Sequence, residues 1–181
     1  MRYNDPPMKS DTPSAKDSIF FDLERELAMT RKVLERLPEK QYAWKPHVKS
    51  MSLGQLAIHV ATLPDWIRAS LIGDSLDAAS APRPPSQVSG QKELLKIFDT
   101  NADALRAAVK DFDPAKYFDT WSFRRGEQIM TSKPRATVYR VWCLNHLIHH
   151  RGQLCVYLRL LDVPVPAVYF NSADEQAWVF E

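Results

Sequence analysis

The sequence lacks several features that would identify its class at once. Its 181 residues contain no apolar run as long as the roughly 18–20 residues of a membrane-spanning helix. They also contain no basic block of the kind that marks a nucleic-acid partner. The first segment, MRYNDPPMKSDTPSAKDS, has no apolar core and therefore does not fit a signal peptide. We expect a cytoplasmic protein with neither a nucleic acid nor a membrane as its partner.

Cysteine is scarce as well, because Cys143 and Cys155 are the two in the chain. If they lie in one continuous helix, about 18 Å of its axis separates them. A disulfide needs Cα atoms within about 7 Å, so these two cysteines cannot pair with each other. Free thiols are typical of the cytoplasm. We interpret both as small apolar side chains rather than nucleophiles.

What is present is typical of a globular domain. Hydrophobic residues make up 45% and charged residues 25% of the chain, and 24 basic against 22 acidic side chains leave a formal charge of +2. The length suits one domain with a real core. We predict a disordered lead over residues 1–16 and a single domain over 17–181.

Four segments have the apolar periodicity of helices, at about residues 17–37, 52–72, 91–111 and 137–161. The second begins at Ser52, which forms a capping box with Gln55, and ends at Gly73. Pro64 should kink it. The Pro-rich segment 75–90 is predicted to be a loop, and the aromatic segment 117–130 a short hairpin. We expect the irregular, aromatic tail, residues 167–181, to pack back on the domain.

Long helices with short or irregular connections predict an all-α fold, a four-helix bundle with a possible hairpin between its third and fourth helices. Side chains that point inward from facing helices form the metal sites of such bundles. The positions of the histidines on these helices therefore indicate whether the bundle could hold a metal ion.

Three histidines fit such a site. His146 and His150 are four residues apart, which places both imidazoles on one helix face. His59 lies on the apolar stripe of the second helix, so it can reach across the bundle. Three imidazoles with one open position are typical of a catalytic metal site. The alternative is that these histidines are ordinary hydrogen-bonded side chains.

The choice of His150 rests on the helix face that it shares. His149 also lies within one turn of His146 but points about 100° away from His150. The face with Trp142, His146, His150 and Gln153 has the larger residues, so we assign His150 as the ligand and His149 to the flank. Gln153 and Asn145 are candidates to orient a ligand or substrate.

One class of metalloenzyme is excluded. A zincin carries a glutamate next to its first ligand histidine, as the general base of the motif HExxH. The corresponding residue here is Leu147. The chain therefore lacks the peptidase apparatus.

Two segments carry a family resemblance. LERLPEKQYAWKPHVKSMSLGQLAIHVATLP and NHLIHHRGQLCVYLRLLDVPVP resemble the two signatures of the DinB/YfiT-like metalloenzymes. The resemblance implies a bundle in up-down-down-up order, a homodimer, and a zinc or nickel ion on His59, His146 and His150. It also implies a thiol-dependent reaction, because some relatives are S-transferases or isomerases that use bacillithiol, mycothiol or glutathione. Gly152 is expected to permit close approach of another helix.

Three functions remain open. The first is a metal-dependent enzyme acting on a small molecule, with a low-molecular-weight thiol as cosubstrate and a pocket walled by Trp66, Trp142 and Tyr157. The second is a metal-dependent hydrolase, which the missing general base disfavours. The third is a non-catalytic metal-binding stress protein.

Overall fold

The fold is mostly helical, with one small sheet. A computed structural model describes residues 13–176. The helices are α1 (Ala15–Phe20), α2 (Leu23–Leu34), α3 (Leu53–Leu71), α4 (Gln91–Asp111), α5 (Arg135–Thr137) and α6 (Asn145–Leu160), and the strands are β1 (Ser75–Asp77), β2 (Thr120–Arg125) and β3 (Gln128–Pro134). The predicted, mostly helical fold is confirmed; β2 and β3 form the predicted hairpin, and β1 is a third strand that was not predicted. The predicted up-down-down-up order stays a prediction.

The first predicted helix is two helices. It breaks at Phe21 and Asp22, where Asp22 forms an ion pair of 2.6 Å with Arg140. Both residues keep backbone angles near the helical region. The apolar periodicity therefore continues through the break, and no glycine or proline marks it. α1 begins at Ala15, inside the predicted disordered lead, while residues 1–12 lie outside the described part of the chain.

α3 is the central helix. The Ser52 backbone donates to Gln55 Oε1 (2.9 Å) and the Gln55 backbone donates to Ser52 Oγ (3.2 Å), which confirms the predicted capping box. The helix continues through Pro64 and ends before Gly73, whose φ is +93°. It contacts α2, α4 and α6. Since neighbours surround it, most of its side chains are buried.

The sheet contains the predicted hairpin and one unpredicted strand. β2 and β3 pair antiparallel around Gly126, with a bulge between Phe123 and Arg124. β1 lies within the predicted loop and pairs parallel to β2, so the strand order is β1-β2-β3. A strand of three residues, Ser-Leu-Asp, is too short for a visible alternation, and its pairing is decided by a partner more than 40 residues away.

The last predicted helix is not uniform. α5 is followed by a π-helical segment, Val138–Leu144, before α6 begins. Arg135 anchors this start. Its buried guanidinium donates to the carbonyls of Ser70 (2.6 Å) and Gly73 (2.7 Å) at the end of α3. Cys143 and Cys155 are unpaired, as predicted.

The described part of the tail packs back, as predicted. Arg151 and Glu26 form a buried ion pair of 2.7 Å between α6 and α2. The Tyr169 hydroxyl accepts from Arg151 Nη2 (2.8 Å) and donates to the Glu26 carboxylate (3.0 Å). Residues 177–181 lie outside the described residues. Across residues 13–176, no helix combines the length and apolar character needed to cross a membrane.

The buried ion pair leads to a prediction about stability. Arg151→Ala leaves the Glu26 carboxylate buried without its partner, so the free energy of unfolding should fall by about 3–5 kcal/mol. Arg106→Ala removes an exposed ion pair with Glu24 and should cost less than about 1 kcal/mol. Urea unfolding followed by circular dichroism measures both. Equal losses of unfolding free energy in the two variants would contradict a stabilising role for the buried pair of Arg151 and Glu26.

Candidate metal centre

Three histidines converge where α3 packs against α6. His59 Nε2 lies 3.3 Å from His146 Nε2, which lies 2.8 Å from His150 Nε2. All three ligand nitrogens lie within 4.8 Å of one another, and each residue is half-buried. The structure thus brings together the three residues that the sequence predicts.

The spacing of these nitrogens fits a metal ion. An ion bound tetrahedrally at about 2.0–2.1 Å separates neighbouring ligand nitrogens by roughly 3.3 Å. The separation between His59 and His146 has that value, and the separation between His146 and His150 needs a small opening of their rings. Three histidine imidazoles are a donor set suited to a divalent transition-metal ion. The geometry can therefore hold one ion.

Contacts behind the cluster orient two of the rings. His150 Nδ1 lies 2.7 Å from Gln153 Oε1, and a carbonyl oxygen only accepts, so His150 Nδ1 carries the proton. Its Nε2 then directs a lone pair toward the cluster. His146 in turn hydrogen-bonds to the backbone carbonyl of Trp142. Gln153 thus makes the contact expected of a ligand-orienting residue, while Asn145 is exposed at the start of α6.

The surroundings disfavour protonation of His59 and His146. Burial lowers the pKa of His59 to about 4, with the neighbouring His150 and His146 adding to the effect. Burial also lowers the pKa of His146, again with help from adjacent histidines. The neutral imidazole is the form that binds a metal ion, so the lowered pKa of His59 and of His146 favours their ligand form at neutral pH.

His149 lies outside the cluster. Its side chain is exposed, and its ring centroid lies 4.9 Å from that of His150. Leu147, the residue that replaces the zincin glutamate, is fully buried in the core. Among the described residues, the grouping of possible ligands contains His150 and not His149.

An aromatic cavity of about 320 Å³ opens beside His59 and His146. Trp66 and Trp142 line it, as predicted. Tyr157 does not. It packs edge-on against Trp44, and its hydroxyl donates to the Met51 carbonyl at 3.2 Å. The remaining lining residues were not predicted to be there; they are Trp121, Phe123, Val138 and Cys143.

The sequence could not locate this second set of lining residues. Trp121 and Phe123 belong to β2, and Val138 and Cys143 belong to the π-helical segment. They reach the cavity because the sheet packs beside the helix pair. The one feature of the sequence that could have indicated Trp121 and Phe123 as lining residues is the aromatic enrichment of the hairpin.

The cysteine thiols are poor nucleophiles. Burial raises the pKa of Cys143 to about 12, and its Sγ lies 3.7 Å from the Trp66 carbonyl oxygen. Burial raises the pKa of Cys155 as well. Since the thiolate is the reactive form, neither residue supplies a nucleophile at neutral pH.

Comparison with known proteins gives the family. A sequence profile described as the DinB family matches residues 14–178. The chain belongs to the DinB family. A search of curated proteins finds no relative. The DinB assignment therefore rests on the profile.

Three solved structures share the fold. A DinB-like protein from Bacillus cereus has a TM-score of 0.66 at 19% identity, covering 84% of this chain and 97% of its own. A DinB-like protein from Bacillus subtilis has a TM-score of 0.62 at 17% identity, with coverages of 80% and 92%. A DinB family member from Exiguobacterium sibiricum has a TM-score of 0.59 at 17% identity, with coverages of 93% and 99%. At these identities the likeness shows the fold alone.

The cluster predicts a loss of metal in one histidine variant and not in another. Purified protein should hold up to one divalent ion per chain by elemental analysis. His146→Ala should abolish binding, because two imidazoles rarely hold an ion tightly. His149→Ala is the matched control on the same helix and should keep the ion. Full occupancy in the His146 variant, or loss in the His149 variant, would refute the ligand assignment.

The lowered pKa of His59 predicts a pH dependence of stability. The ordinary pKa of histidine is near 6.5, whereas that of His59 is about 4 in the folded chain. The unfolded chain therefore takes up a proton first. Metal-free protein should lose stability as the pH falls from about 6.5 toward 4, and this group should contribute no change above that range.

Melting temperatures at pH 7 and pH 5 test this dependence. The metal-free wild type should melt lower at pH 5. His59→Gln should reduce the difference, although His146 will maintain part of it. An equal or larger difference in the variant would show that another group causes the effect.

Proposed function

We propose that this DinB family protein is a metal-dependent enzyme that acts on a small molecule, as a thiol-dependent S-transferase. One observation carries the proposal. Three imidazoles converge beside an aromatic cavity that His59 and His146 line, and no carboxylate of the described residues lies in that lining. The site thus combines a metal-binding donor set with a place for a substrate, without a protein group to act as a general base.

Thiol chemistry suits such a site. A divalent zinc or nickel ion held by His59, His146 and His150 would lower the pKa of a coordinated thiol, so that the thiolate forms at neutral pH. No carboxylate base is then needed. Cys143 stays protonated and does not compete, because burial raises its pKa. The aromatic walls bind the electrophile and keep water away from it.

The absence of a carboxylate weighs against hydrolysis. A metal ion also lowers the pKa of bound water, but a hydrolase commonly has in addition an acid that delivers a proton to the leaving group. Leu147 stands where the zincin glutamate would be, and the described lining of the cavity offers imidazoles, a thiol and indole N–H groups as its polar groups, with no carboxylic acid among them. A metal-binding stress protein without activity is the remaining alternative, and turnover distinguishes it.

Turnover can be tested with a model electrophile. In the reaction of a thiol with chlorodinitrobenzene, a C–S bond forms, the C–Cl bond breaks, chloride leaves and the thiol proton goes to solvent. Protein with glutathione or bacillithiol should consume thiol and electrophile in equal amounts. A chelator should abolish the reaction, and so should His59→Ala, because that variant loses a metal ligand.

Two cysteine variants are the controls for that reaction. Cys155→Ala should leave the rate unchanged, and Cys143→Ala should keep it within about ten-fold, because neither thiol ionises at neutral pH. Free thiol and released chloride measure the progress. Activity in the His59 variant together with dead cysteine variants would show that a protein thiol carries the reaction.

We also propose that the domain forms the up-down-down-up bundle, works in the cytoplasm and assembles as a homodimer. Gly152, Val156 and Leu160 lie exposed on the outer side of α6. A Cβ at Gly152 would meet no atom of the described residues within 4 Å, so no helix of the same chain approaches it closely, and the predicted close approach is left to a second copy. This open apolar side supports contact with a second copy.

Light scattering measures the predicted dimer. At micromolar concentration, the mass should be twice that of the chain. Val156→Lys should shift the protein toward monomer, because it places a charge in an apolar contact. Lys110→Glu, a charge change on α4, should have no such effect. A monomeric wild type would contradict the proposal.

A further inference from the structure

The cavity beside the histidines has an unusual wall. Aromatic rings form most of it, from Trp66, Trp121, Phe123 and Trp142. Its polar groups are the imidazoles of His59 and His146, the Cys143 thiol and the indole N–H groups of its three tryptophans, and no charged side chain of the described residues lines it. A wall of this kind disfavours an ion, because an ion moved into the cavity would lose water and find no oppositely charged side chain there.

The rings are arranged from mouth to base. Trp66 and Trp142 are 45% and 36% exposed and border the opening, whereas Trp121 is 3% exposed and lies at the base. The ring centroids of Trp66 and Phe123 are 6.2 Å apart with a 38° tilt. Trp66 and Phe123 are therefore neighbouring rings in the lining of the cavity.

The size of the cavity limits its occupant. A buried apolar cavity of about 150 Å³ binds benzene. The volume here is about 320 Å³, and part of that space is open to solvent. One substituted ring or two fused rings therefore fill it, while a larger polycyclic molecule does not fit.

We propose that the part of the substrate that enters this cavity is a neutral, flat, apolar ring system of one or two rings, held against Trp66 and Trp142 with its reactive atom toward His59 and His146. This inference rests on the proposed function, since it names the class of electrophile that the transferase takes. The thiol cosubstrate and any charged groups stay on the solvent side, near His150 and Gln153.

A quaternary ammonium ion is the rival occupant, because aromatic walls also bind such cations. Two features disfavour it. Cation sites benefit from a nearby carboxylate, but the nearest acid in sequence to the mouth, Asp65, is already paired with Arg68 at 2.7 Å. The divalent ion expected on the histidines would also repel a second cation.

Two ligands of the same shape distinguish a neutral occupant of the cavity from a cationic one. Neutral tert-butylbenzene and cationic phenyltrimethylammonium have nearly the same shape and differ in charge. Calorimetric titration into the metal-loaded protein should give at least ten-fold tighter binding of the neutral ligand. Equal binding, or tighter binding of the cation, would overturn the proposal.

Variants at the mouth locate the binding site. Trp142→Ala and Trp66→Ala should each weaken tert-butylbenzene binding about ten-fold, and their partial exposure limits the damage to folding, which circular dichroism checks. Phe118→Ala is the matched control, because Phe118 is 76% exposed and does not line the cavity. Unchanged affinity in both tryptophan variants would place the ligand elsewhere and overturn the proposal.

The binding data and the turnover data answer different questions. Selective binding that depends on Trp66 and Trp142 supports the ligand class even if no thiol is consumed, and in that case the transferase function fails alone. Thiol turnover with an electrophile that binds without charge selectivity would overturn the ligand class and leave the transferase function standing.

Discussion

The site depends on how α6 is rotated about its own axis. Arg151 follows His150 directly and is held in the core by the Glu26 carboxylate of α2 and the Tyr169 hydroxyl. Successive residues of a helix differ by about 100° in direction. With Arg151 anchored on α2, His150 and His146 face α3, and His149 faces solvent. A buried ion pair thus sets which histidines can share an ion.

The same packing sets the electrostatics of the cluster. Three imidazoles that are half-buried and in contact cannot all be charged, because burial and mutual repulsion both disfavour protonation. Neutral rings with nitrogens a few ångströms apart are still imperfectly satisfied, since each lone pair needs a donor or a metal. A divalent ion would bind the lone pairs of these ring nitrogens without any of the rings being protonated. This is the physical reason that the arrangement supports metal binding better than an ordinary hydrogen-bonded role.

The cavity depends on the parts of the fold outside the helix pair. The π-helical segment carries Val138, Trp142 and Cys143 to one wall, and β2 adds Trp121 and Phe123. Arg135 ties the beginning of this helical run to the end of α3, where β1 follows. Short π-helical segments recur at functional sites because the extra residue redirects the side chains around it. Here the redirected side chains border the histidines.

The sequence by itself determined the features that rest on local rules. Apolar periodicity located the helices, the capping box placed the start of α3, and the spacing of His146 and His150 predicted a shared face. It also predicted the hairpin from aromatic enrichment. These features depend on residues within a turn or two of one another, so a linear pattern records them.

Only the tertiary structure decided the features that rest on distant contacts. The break at Asp22 is accompanied by its pairing with Arg140, β1 exists because β2 lies beside it, and Tyr157 turns to Trp44 instead of the cavity. Helical periodicity favoured His150 over His149, but the long-range pairing of Arg151 with Glu26 holds α6 in that rotation. The sequence around a residue does not depend on which distant side chain it contacts. The residues that line the cavity can therefore be identified only from the tertiary structure.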